Sequence, residues 1–379
     1  MSGVEHRLEV MVPGHRPSAY EVVQARGVLS RLGELCDSMV PAHRYALLAD
    51  SRVADLYGRQ ALDSIAASGR QVELFTFPAG EWNKSREEWG QLSDGMLHRG
   101  LGRDCAVVAL GGGVTGDLAG FVAATYMRGV PVVQVPTTLL AMFDSAIGGK
   151  TGVDTEVGKN LVGAFHHPAL VVVDPDVLAT LPRMQRAAGL AEGVKTAAIL
   201  DRALFEWFEG RAEDLLDGEP EATAEAVWRV MAHKAAVVEE DPREDGRRAI
   251  LNFGHTIGHA LELVGGYEIL HGEAVAAGMR AETRLGENLG VTEPGTRERL
   301  AALLEACALD RPLEEERPAR VLWEAVARDK KARGGRVRCV LLETLGQVAR
   351  TPAGDWTFEI PGGEGEAWFE AALRPSHGA

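Results

Sequence analysis

The sequence predicts an α/β domain followed by a mostly helical domain, with the boundary between residues 182 and 183. Three observations support this prediction. Residues 1–182 alternate short β-rich runs with amphipathic helical segments, the pattern of βαβ units around a parallel sheet. Several of these runs, such as VVAL and VVQV, are apolar at successive positions, which is typical of strands covered on both faces. From residue 183 to 379 helical patterns dominate, and strand-like sequence returns only in the short run VRCVLLE.

The expected strands of the first domain come in the order LEVMV, YALLAD, QVELFTF, CAVVAL, VPVVQVP and ALVVVD. Ligands of parallel sheets bind beyond the carboxyl ends of the strands, and the stretch GGGVTGD, residues 111–117, directly follows CAVVAL. Its glycines permit close approach of a ligand to the backbone, and the amides that open the next helix favour a phosphate. A plain strand-to-helix turn, with Asp117 as a first-turn carboxylate, accounts for the same residues equally well.

A loop-rich segment, residues 136–168, follows the fifth of these runs. It carries Asp144, Lys150, Lys159 and Asn160 among glycines. Lysines flanked by glycine are suited to an anionic ligand whose phosphate the backbone can also approach. A solvated surface loop is the alternative, although a long loop in a compact domain is more often functional or disordered.

The second domain is expected to be mostly α-helical. Its helical patterns are RAAGLAEGVKTAAILD, FEWFEGRAEDLLD, EATAEAVWRVMAHKAAVVEE, a histidine-rich stretch and AVAAGMRAETRLGENLG, followed by later helices. The Gly- and Pro-rich residues after Thr351 predict a loosely packed extension.

The histidine-rich stretch, residues 248–273, is the strongest candidate for a metal site. His255 and His259 are four residues apart in a helical pattern, so their imidazoles share one helix face. A Gly-Gly break then allows the chain to bring His271 near them. Two histidines and one carboxylate suit a catalytic ion such as zinc, while hydrogen bonding of the histidines in a polar pocket is the alternative. The pattern leaves four candidate carboxylates: Glu192, Glu262, Glu268 and Glu273.

Composition and charge exclude several classes of protein. A chain of 379 residues has room for two domains. The net charge of −15 argues against nucleic acid or an anionic membrane as partner. No run is long and apolar enough to span a bilayer, and the first residues lack an apolar signal core, so a cytoplasmic location is expected. The four scattered cysteines are interpreted as reduced packing residues.

Six motifs, taken in order, resemble the 3-dehydroquinate synthase family of sugar-phosphate cyclases over roughly residues 45–345. They are GGGVTGDLAGFVAATYMRG, VPTTLLAMFDSAIGGKTGVD, GKNLVGAFHHP, GLAEGVK, LNFGHTIGHALE and LHGEAVAAGM. The resemblance implies a Rossmann-like NAD-binding α/β domain and a helical metal- and substrate-binding domain, with the active site between them. It also implies NAD, Zn²⁺ or Co²⁺, a small-molecule sugar phosphate as substrate, and a homodimer.

The resemblance assigns roles to individual residues. The implied metal ligands are Glu192, His255 and His271, which makes His259 a substrate-side residue. The implied substrate residues are Asp144, Lys150, Asn160, Lys195, Lys234, Arg248, Asn252, His259, Lys330 and, from the neighbouring subunit, Arg128. Of these, Lys150, Asn160, Arg128 and Lys330 are expected toward the phosphate, and Lys234 and Arg248 toward the carboxylate. The implied NAD residues are Asp50, Glu81, Lys84, Gly112, Gly113, Val114, Asp117, Thr137, Thr138, Asp144, Ser145, Lys159, Thr180 and Leu181. One departure from the family pattern is Arg52, where many members have asparagine.

The implied reaction converts 3-deoxy-D-arabino-heptulosonate 7-phosphate to 3-dehydroquinate and phosphate. Other sugar-phosphate cyclases are the first alternative: aminodehydroquinate, 2-deoxy-scyllo-inosose and 2-epi-5-epi-valiolone synthases. A substrate without a carboxylate has no need of Lys234 and Arg248, whose burial without a partner carries a free-energy cost. A metal-dependent polyol dehydrogenase and a catalytically silent binding protein are more distant alternatives.

Overall fold

The computed structural model describes residues 5–11, 19–265, 269–312, 318–330 (side chains to 326) and 337–360, with Ala367, Glu370 and Leu373. The chain divides into two compact units. The first combines Met1–Leu181 with Thr223–Arg243, and the second combines Pro182–Ala222 with Glu244–Ala379. The first division lies one residue before the predicted boundary, but the second domain was predicted as uninterrupted. An amphipathic pattern identifies a helix such as the one in Thr223–Arg243 without showing which core its apolar face joins.

A seven-stranded sheet forms the centre of the first unit. Its strands are β1 (His6–Met11), β2 (Ala19–Gln24), β3 (Arg44–Asp50), β4 (Gln71–Phe77), β5 (Cys105–Gly111), β6 (Val132–Pro136) and β9 (Leu170–Val173). They lie in the order β1-β2-β9-β6-β5-β3-β4, and every neighbouring pair from β2 to β4 is parallel. All residues of β5 are buried, as its unbroken apolar sequence requires. The predicted α/β class is confirmed.

The edge of the sheet at β1 differs from the prediction. β1 and β2 are antiparallel, with His6 opposite Gln24, whereas LEVMV was expected in a parallel sheet and β2 was not identified. Polar residues within β2 interrupt its apolar pattern, so the strand was not recognised from the sequence. Gln24, the last residue of β2, is buried, and its side-chain amide donates to the carbonyl oxygen of Ala224 at 2.8 Å. This hydrogen bond compensates for the burial of a polar residue at the end of the strand.

Residues 150–165 of the segment 136–168 form a hairpin, so the interpretation of these residues as part of a loop was wrong. Strands β7 (Lys150–Thr155) and β8 (Gly158–Phe165) pair antiparallel, with Gly152 opposite Gly163. A Cβ atom at Gly163 would lie 2.0 Å from the carbonyl oxygen of Thr151. Glycine weakens a strand prediction, but here it is required by the close approach of the two backbones.

Most helices of the first unit belong to its longer segment, Met1–Leu181. They are α1 (Leu32–Met39), α2 (Ser51–Val53), α3 (Arg59–Ala67), α4 (Arg86–His98), α5 (Gly113–Thr125) and most of α9 (Pro220–Glu240). Short 3₁₀ turns cover Val28–Arg31, Glu81–Asn83, Tyr126–Arg128 and Pro175–Thr180, and π-helical turns cover Ala54–Gly58 and Ala141–Ser145.

The second unit is mostly helical, as predicted. Its helices are α6 (Arg183–Leu200), α7 (Arg202–Glu209), α8 (Ala212–Asp217), α10 (His255–Val264), α11 (His271–Asn288), α12 (Thr296–Ala306) and α13 (Ala319–Lys330), with a 3₁₀ helix at Arg247–Asn252. Its core joins residues of α10, α11 and α13, among them Ile257, Leu261, Ala277, Leu285 and Leu322. Short strands complete the unit: β10 (Val337–Cys339) with β13 (Phe358–Ile360), and β11 (Leu342–Thr344) with β12 (Gln347–Val348).

Residues 358–360 depart from the loosely packed extension that was expected after Thr351. Phe358–Ile360 pairs with β10, and Ile360 is buried in the core of the second unit. The four cysteines all lie among the described residues and are buried thiols outside any disulfide, as interpreted from the sequence. None of the described helices is both long enough and apolar enough to cross a bilayer.

Candidate active site

A carboxylate and two imidazoles meet inside the second unit. Glu192 lies on α6, while His255 and His271 are the first residues of α10 and α11. Nε2 of His271 lies 3.3 Å from Oε1 of Glu192, and Nε2 of His255 lies 3.5 Å from the same oxygen. One ligand atom from each residue lies within 4.8 Å of the other two. This spacing allows the three residues to share one metal ion at the ~2 Å bond lengths that zinc adopts.

Close packing of three helices produces this arrangement. Every residue of α6 from 186 to 199 is buried, as in a helix surrounded on all sides. A Cβ atom at Gly272 would lie 1.9 Å from the carbonyl oxygen of Ala188, so the start of α11 reaches α6 only because this residue is glycine. A Cβ atom at Gly278 would lie equally close to the carbonyl oxygen of Gly254, so α11 also lies directly against the start of α10. The three candidate ligands are therefore positioned by helix packing rather than by loops.

The environment of Glu192 fits a metal ligand. Its side chain is almost fully buried, and neither carboxylate oxygen accepts a well-aligned hydrogen bond from the described residues. Nζ of Lys195, three residues further along α6, lies 2.5 Å from Oε2. Burial acts to raise the pKa of Glu192, but Lys195 and the two imidazoles outweigh it and hold that pKa well below its usual range. A buried, ionised carboxylate without full hydrogen bonding is stabilised by a divalent cation.

The two imidazoles differ in protonation. Burial and the charge of Lys195 lower the pKa of His255 to about 3, so its ring is neutral. Burial also opposes protonation of His271, but its contacts with Glu192 and Glu262 outweigh it and raise the pKa of His271 to about 10. Metal ions bind neutral imidazole, so binding of an ion to this group releases the proton from His271.

A second group of possible ligands shares His271. His259, Glu262 and His271 also place ligand atoms within 4.8 Å of one another. His259 is exposed, whereas Glu262 is buried with Oε1 3.5 Å from Nδ1 of His271. Because His271 faces Glu192 through Nε2 and Glu262 through Nδ1, Glu262 is placed to orient the ring for a metal bound at Nε2. This geometry favours Glu262 as an orienting carboxylate rather than as a ligand.

Glu262→Gln is expected to weaken metal binding by ~10-fold or more, since an orienting carboxylate that loses its charge no longer holds the imidazole in the binding orientation. The measurement is the dissociation constant for Zn²⁺ in competition with a chromophoric chelator. Glu305→Gln, an exposed position on α12, serves as the control and should bind Zn²⁺ like the unaltered protein. Equal affinity in both variants would show that Glu262 does not orient His271.

Glu273, another candidate carboxylate, has a different contact. Glu273 accepts the backbone N–H of Leu270 at 3.1 Å and so caps the start of its own helix. Glu268 lies outside the described residues. Of the candidate carboxylates that the structure describes, Glu192 and Glu262 each lie near two histidines, and the orienting contact of Glu262 with Nδ1 of His271 favours Glu192 as the ligand.

Two further predicted substrate residues, Arg248 and Asn252, belong to the 3₁₀ helix at Arg247–Asn252. Arg248 is buried there, and the side-chain amide of Asn252 donates to Oε1 of Glu244. Glu244 was not predicted. In the sequence it is distinguished only by its position shortly before Arg247 and Arg248. Lys330 is the last residue of α13, and its side chain lies outside the described part of the chain.

The glycine-rich turn after β5 groups several predicted cofactor residues in the first unit. A Cβ atom at Gly112 would lie 3.0 Å from Cγ2 of Thr138, and one at Gly113 would lie 3.2 Å from Oγ of Ser145. Gly112 is the N-cap of α5, so its neighbours present backbone N–H groups at a helix start. The predicted residues of this turn are Gly112, Gly113, Val114, Thr137, Thr138 and Ser145.

Lys84 is the centre of another predicted cluster. Its ammonium nitrogen lies 2.8 Å from Oδ1 of Asn160, 3.1 Å from Oε1 of Glu81, 3.4 Å from Oδ2 of Asp117 and 3.5 Å from Oδ1 of Asp154. Burial opposes the charge of Lys84, but the three carboxylates outweigh it and raise its pKa. Burial raises the pKa of Asp117 to about 6 despite the lysine. The cluster joins predicted cofactor residues to Asn160, a predicted substrate residue, and includes Asp154, which was not predicted.

The remaining predicted site residues of the first unit lie on different helices, strands and turns. Lys234 on α9 donates to Oδ1 of Asp144 at 2.6 Å and to the backbone carbonyl oxygen of the same residue. Lys159 lies 3.6 Å from Oε1 of Glu81. Lys150 opens β7 and Arg128 ends a 3₁₀ turn, and both side chains are exposed.

The other predicted cofactor residues of the first unit are Asp50, at the end of β3, and Thr180 and Leu181. Asp50 accepts the backbone N–H of Val53 at 3.0 Å and lies 3.3 Å from the hydroxyl of Thr115 on α5. The hydroxyl of Thr180 lies 2.7 Å from that of Tyr57, and Leu181 follows directly. Arg52, the departure from the family pattern, is exposed beside Asp50.

Two family models match consecutive parts of the chain. The model described as 3-dehydroquinate synthase N-terminal matches residues 74–188, and the one described as 3-dehydroquinate synthase C-terminal matches residues 189–332.

Similar whole proteins agree with these matches. A 3-dehydroquinate synthase of Symbiobacterium thermophilum is 47% identical over 88% of this chain and 94% of its own length. The structure of a 2-deoxy-scyllo-inosose synthase complexed with carbaglucose-6-phosphate, NAD⁺ and Co²⁺ superposes with a TM-score of 0.86 at 26% identity, over 97% of this chain and 99% of that one. A 2-epi-5-epi-valiolone synthase of Streptomyces hygroscopicus, with NAD⁺ and Zn²⁺ bound, gives a TM-score of 0.82 at 29% identity, over 93% and 95% of the chains.

Proposed function

The chain belongs to the 3-dehydroquinate synthase family, and we infer from this that it converts 3-deoxy-D-arabino-heptulosonate 7-phosphate to 3-dehydroquinate and phosphate. The observation that supports this most strongly is the buried group of Glu192, His255 and His271 beside Lys195. A carboxylate and two imidazoles form a donor set for a catalytic zinc or cobalt ion, with coordination positions left for substrate oxygens.

Two bound groups supply the chemistry that side chains cannot. NAD would supply reversible hydride transfer at a substrate carbon that bears a hydroxyl, and the resulting ketone would acidify the neighbouring C–H for elimination of phosphate. A divalent ion, when bound, acts as a Lewis acid toward substrate oxygens and stabilises their negative charge. Glu192, His255 and His271 would hold the ion, and the glycine-rich turn with the Lys84 cluster would hold NAD.

The remaining side chains of the metal site orient the sugar and move protons. His259 is exposed beside His255, with ring centroids 5.3 Å apart, so it is accessible to a substrate held at the metal ligands. Its imidazole is suited to proton transfer near neutral pH, and the substrate phosphate is an alternative base for the acidified C–H. Lys195, buried next to Glu192, provides a fixed positive charge for a substrate oxygen. Together with Asn252, it would hold the flexible intermediate during ring closure.

The anionic groups of the substrate account for the other cations. We assign Lys234 and Arg248, both buried, to the carboxylate, because an anion that leaves water is stabilised by charge-assisted hydrogen bonds from cationic side chains. Asn160, Lys150, Lys330 and, from a second copy of the chain, Arg128 are assigned to the phosphate. The homodimer on which Arg128 depends and the cytoplasmic location remain predictions.

Substrate selectivity tests the proposal against the other cyclases. The heptulosonate phosphate is expected to be turned over with a kcat/KM at least ~10²-fold above that of sedoheptulose 7-phosphate, because the latter lacks the carboxylate that Lys234 and Arg248 would bind. The assay measures phosphate release together with absorbance at the NADH wavelength. A cyclase releases phosphate without accumulating NADH.

Three results would overturn the proposal. Preference for sedoheptulose 7-phosphate would identify a cyclase acting on a sugar phosphate without a carboxylate. Preference for the imino analogue of the heptulosonate would identify an aminodehydroquinate synthase. Net NADH without phosphate release would identify a dehydrogenase.

A further inference from the structure

Asp154 makes contacts that none of the roles assigned above explains. It lies in β7, at the end of the GGKTGVD sequence, and its side chain is 20% exposed. Oδ1 of Asp154 accepts the backbone N–H of Asn160 at 2.9 Å and lies 3.5 Å from Nζ of Lys84. The backbone N–H of Asp154 donates to the carbonyl oxygen of Lys84 at 2.7 Å. One residue therefore contacts the backbone of both Lys84 and Asn160.

The backbone of Asn160 has an unusual conformation. Its φ angle is +55°, in the left-handed region that residues other than glycine seldom adopt. The pairing of β7 with β8 is irregular between Val153 and Thr155, next to Asp154. The hydrogen bond from the N–H of Asn160 to Asp154 fixes this conformation from the opposite strand, and the carboxamide oxygen of Asn160 accepts from Lys84 at 2.8 Å.

We propose that Asp154 is a positioning residue for the phosphate end of the substrate: it holds Asn160 in the left-handed conformation that keeps its carboxamide next to Lys84. The proposal deepens the proposed function and rests on its assignment of Asn160 to the substrate. The acceptor oxygen of Asp154 is what this role requires, and its negative charge is secondary, because the amide of Asn160 needs only an acceptor. Lys84 keeps Glu81 and Asp117 as partners when Asp154 is changed.

The test compares Asp154→Ala, which removes the acceptor, with Asp154→Asn, which keeps an acceptor oxygen and removes the charge. Asp154→Ala is expected to raise KM for the heptulosonate phosphate ~10-fold or more, with kcat and the dissociation constant for NAD changed less than ~3-fold, since Asn160 is misplaced while the cofactor turn is intact. Asp154→Asn is expected to restore KM to within ~3-fold of the unaltered enzyme. Glu156→Ala, an exposed carboxylate in the same hairpin, is the matched control and should change none of these values.

A double-mutant cycle with Asn160→Ala tests the positioning role of Asp154 separately from the assignment of Asn160 to the substrate. If Asp154 acts through Asn160, the double variant should have a KM within ~2-fold of that of Asn160→Ala alone. Additive effects, or equal losses in Asp154→Asn and Asp154→Ala, would overturn the positioning role. An Asn160→Ala enzyme with unchanged KM would instead overturn the assignment of Asn160 to the substrate, and the positioning role with it. If Asp154→Ala does not fold, Asp154→Ser replaces it, because its shorter side chain places the hydroxyl farther from the N–H of Asn160.

Discussion

His255→Ala is expected to abolish metal binding and activity together. The neutral imidazole of His255 is one of three candidate ligands, and its removal leaves Glu192 and His271 with too few donors to hold the ion tightly. Without the ion, stabilisation of charge on substrate oxygens worth several kcal/mol is lost, so kcat/KM should fall by at least ~10³-fold. The measurements are metal content by mass spectrometry after dialysis and the rate of phosphate release.

His259→Ala is the matched comparison, because His259 lies one helical turn from His255 on the same face of α10. This variant should keep its metal and lose activity by ~10²–10⁴-fold, the usual contribution of a proton-transfer residue. A metal-replete, active His255→Ala enzyme would contradict the ligand assignment. Loss of metal from His259→Ala would show that the ion binds the alternative group of His259, Glu262 and His271.

Lys195→Met is expected to lower both activity and the stability of the metal-free protein. Lys195 and Glu192 form a buried ion pair at 2.5 Å, and removal of the lysine takes away the nearer of the two positive charges beside the carboxylate, the other being the protonated His271. Breaking a buried pair in this way costs ~3–5 kcal/mol of unfolding free energy. A bound divalent ion compensates the same charge, so the loss of stability should be much smaller in the metal-loaded protein. The loss of a substrate-binding charge should also lower kcat/KM by ~10²-fold or more.

Thermal unfolding with chelator and with excess Zn²⁺ measures this difference. Arg183→Met, in the exposed first turn of the same helix, should lower Tm only slightly and equally in both conditions, because exposed ion pairs contribute little. An equal drop in Tm for Lys195→Met with and without metal would contradict the view that the ion and Lys195 stabilise the same carboxylate.

The parallel sheet was predictable from the sequence because its strands are short, apolar and regularly spaced. The central strand β5 shows this most clearly, since it is buried along its whole length and reads as an unbroken apolar run. The hairpin of β7 and β8 could not be predicted in the same way. Gly152 and Gly163 suggest a loop, and their role in close backbone packing is visible only when the two strands are opposite each other.

The metal site was only partly predictable from residue patterns. Helical spacing places His255 and His259 on one face, and the structure confirms that they are neighbours. Spacing alone favours this pair as ligands, whereas the structure brings His255 together with His271 and Glu192. The position of Glu192 depends on the burial of α6 and on its contact with α11, a tertiary arrangement that no local pattern reports. The family resemblance supplied that information.

The residues that sequence reasoning missed act through other residues. Asp154 and Glu244 hold Asn160 and Asn252 by hydrogen bonds. Each is one acidic residue among the 55 in the chain, so its type alone carries no signal. Only three-dimensional contacts distinguish these carboxylates from solvated surface groups.

The most direct test is the position of the metal itself, from anomalous X-ray scattering at the zinc edge in crystals grown with Zn²⁺ and NAD. The expected result is a single strong peak ~2.0–2.2 Å from a carboxylate oxygen of Glu192 and from Nε2 of both His255 and His271. A peak bound by His259, Glu262 and Nδ1 of His271, with Glu192 still paired to Lys195 alone, would contradict the account.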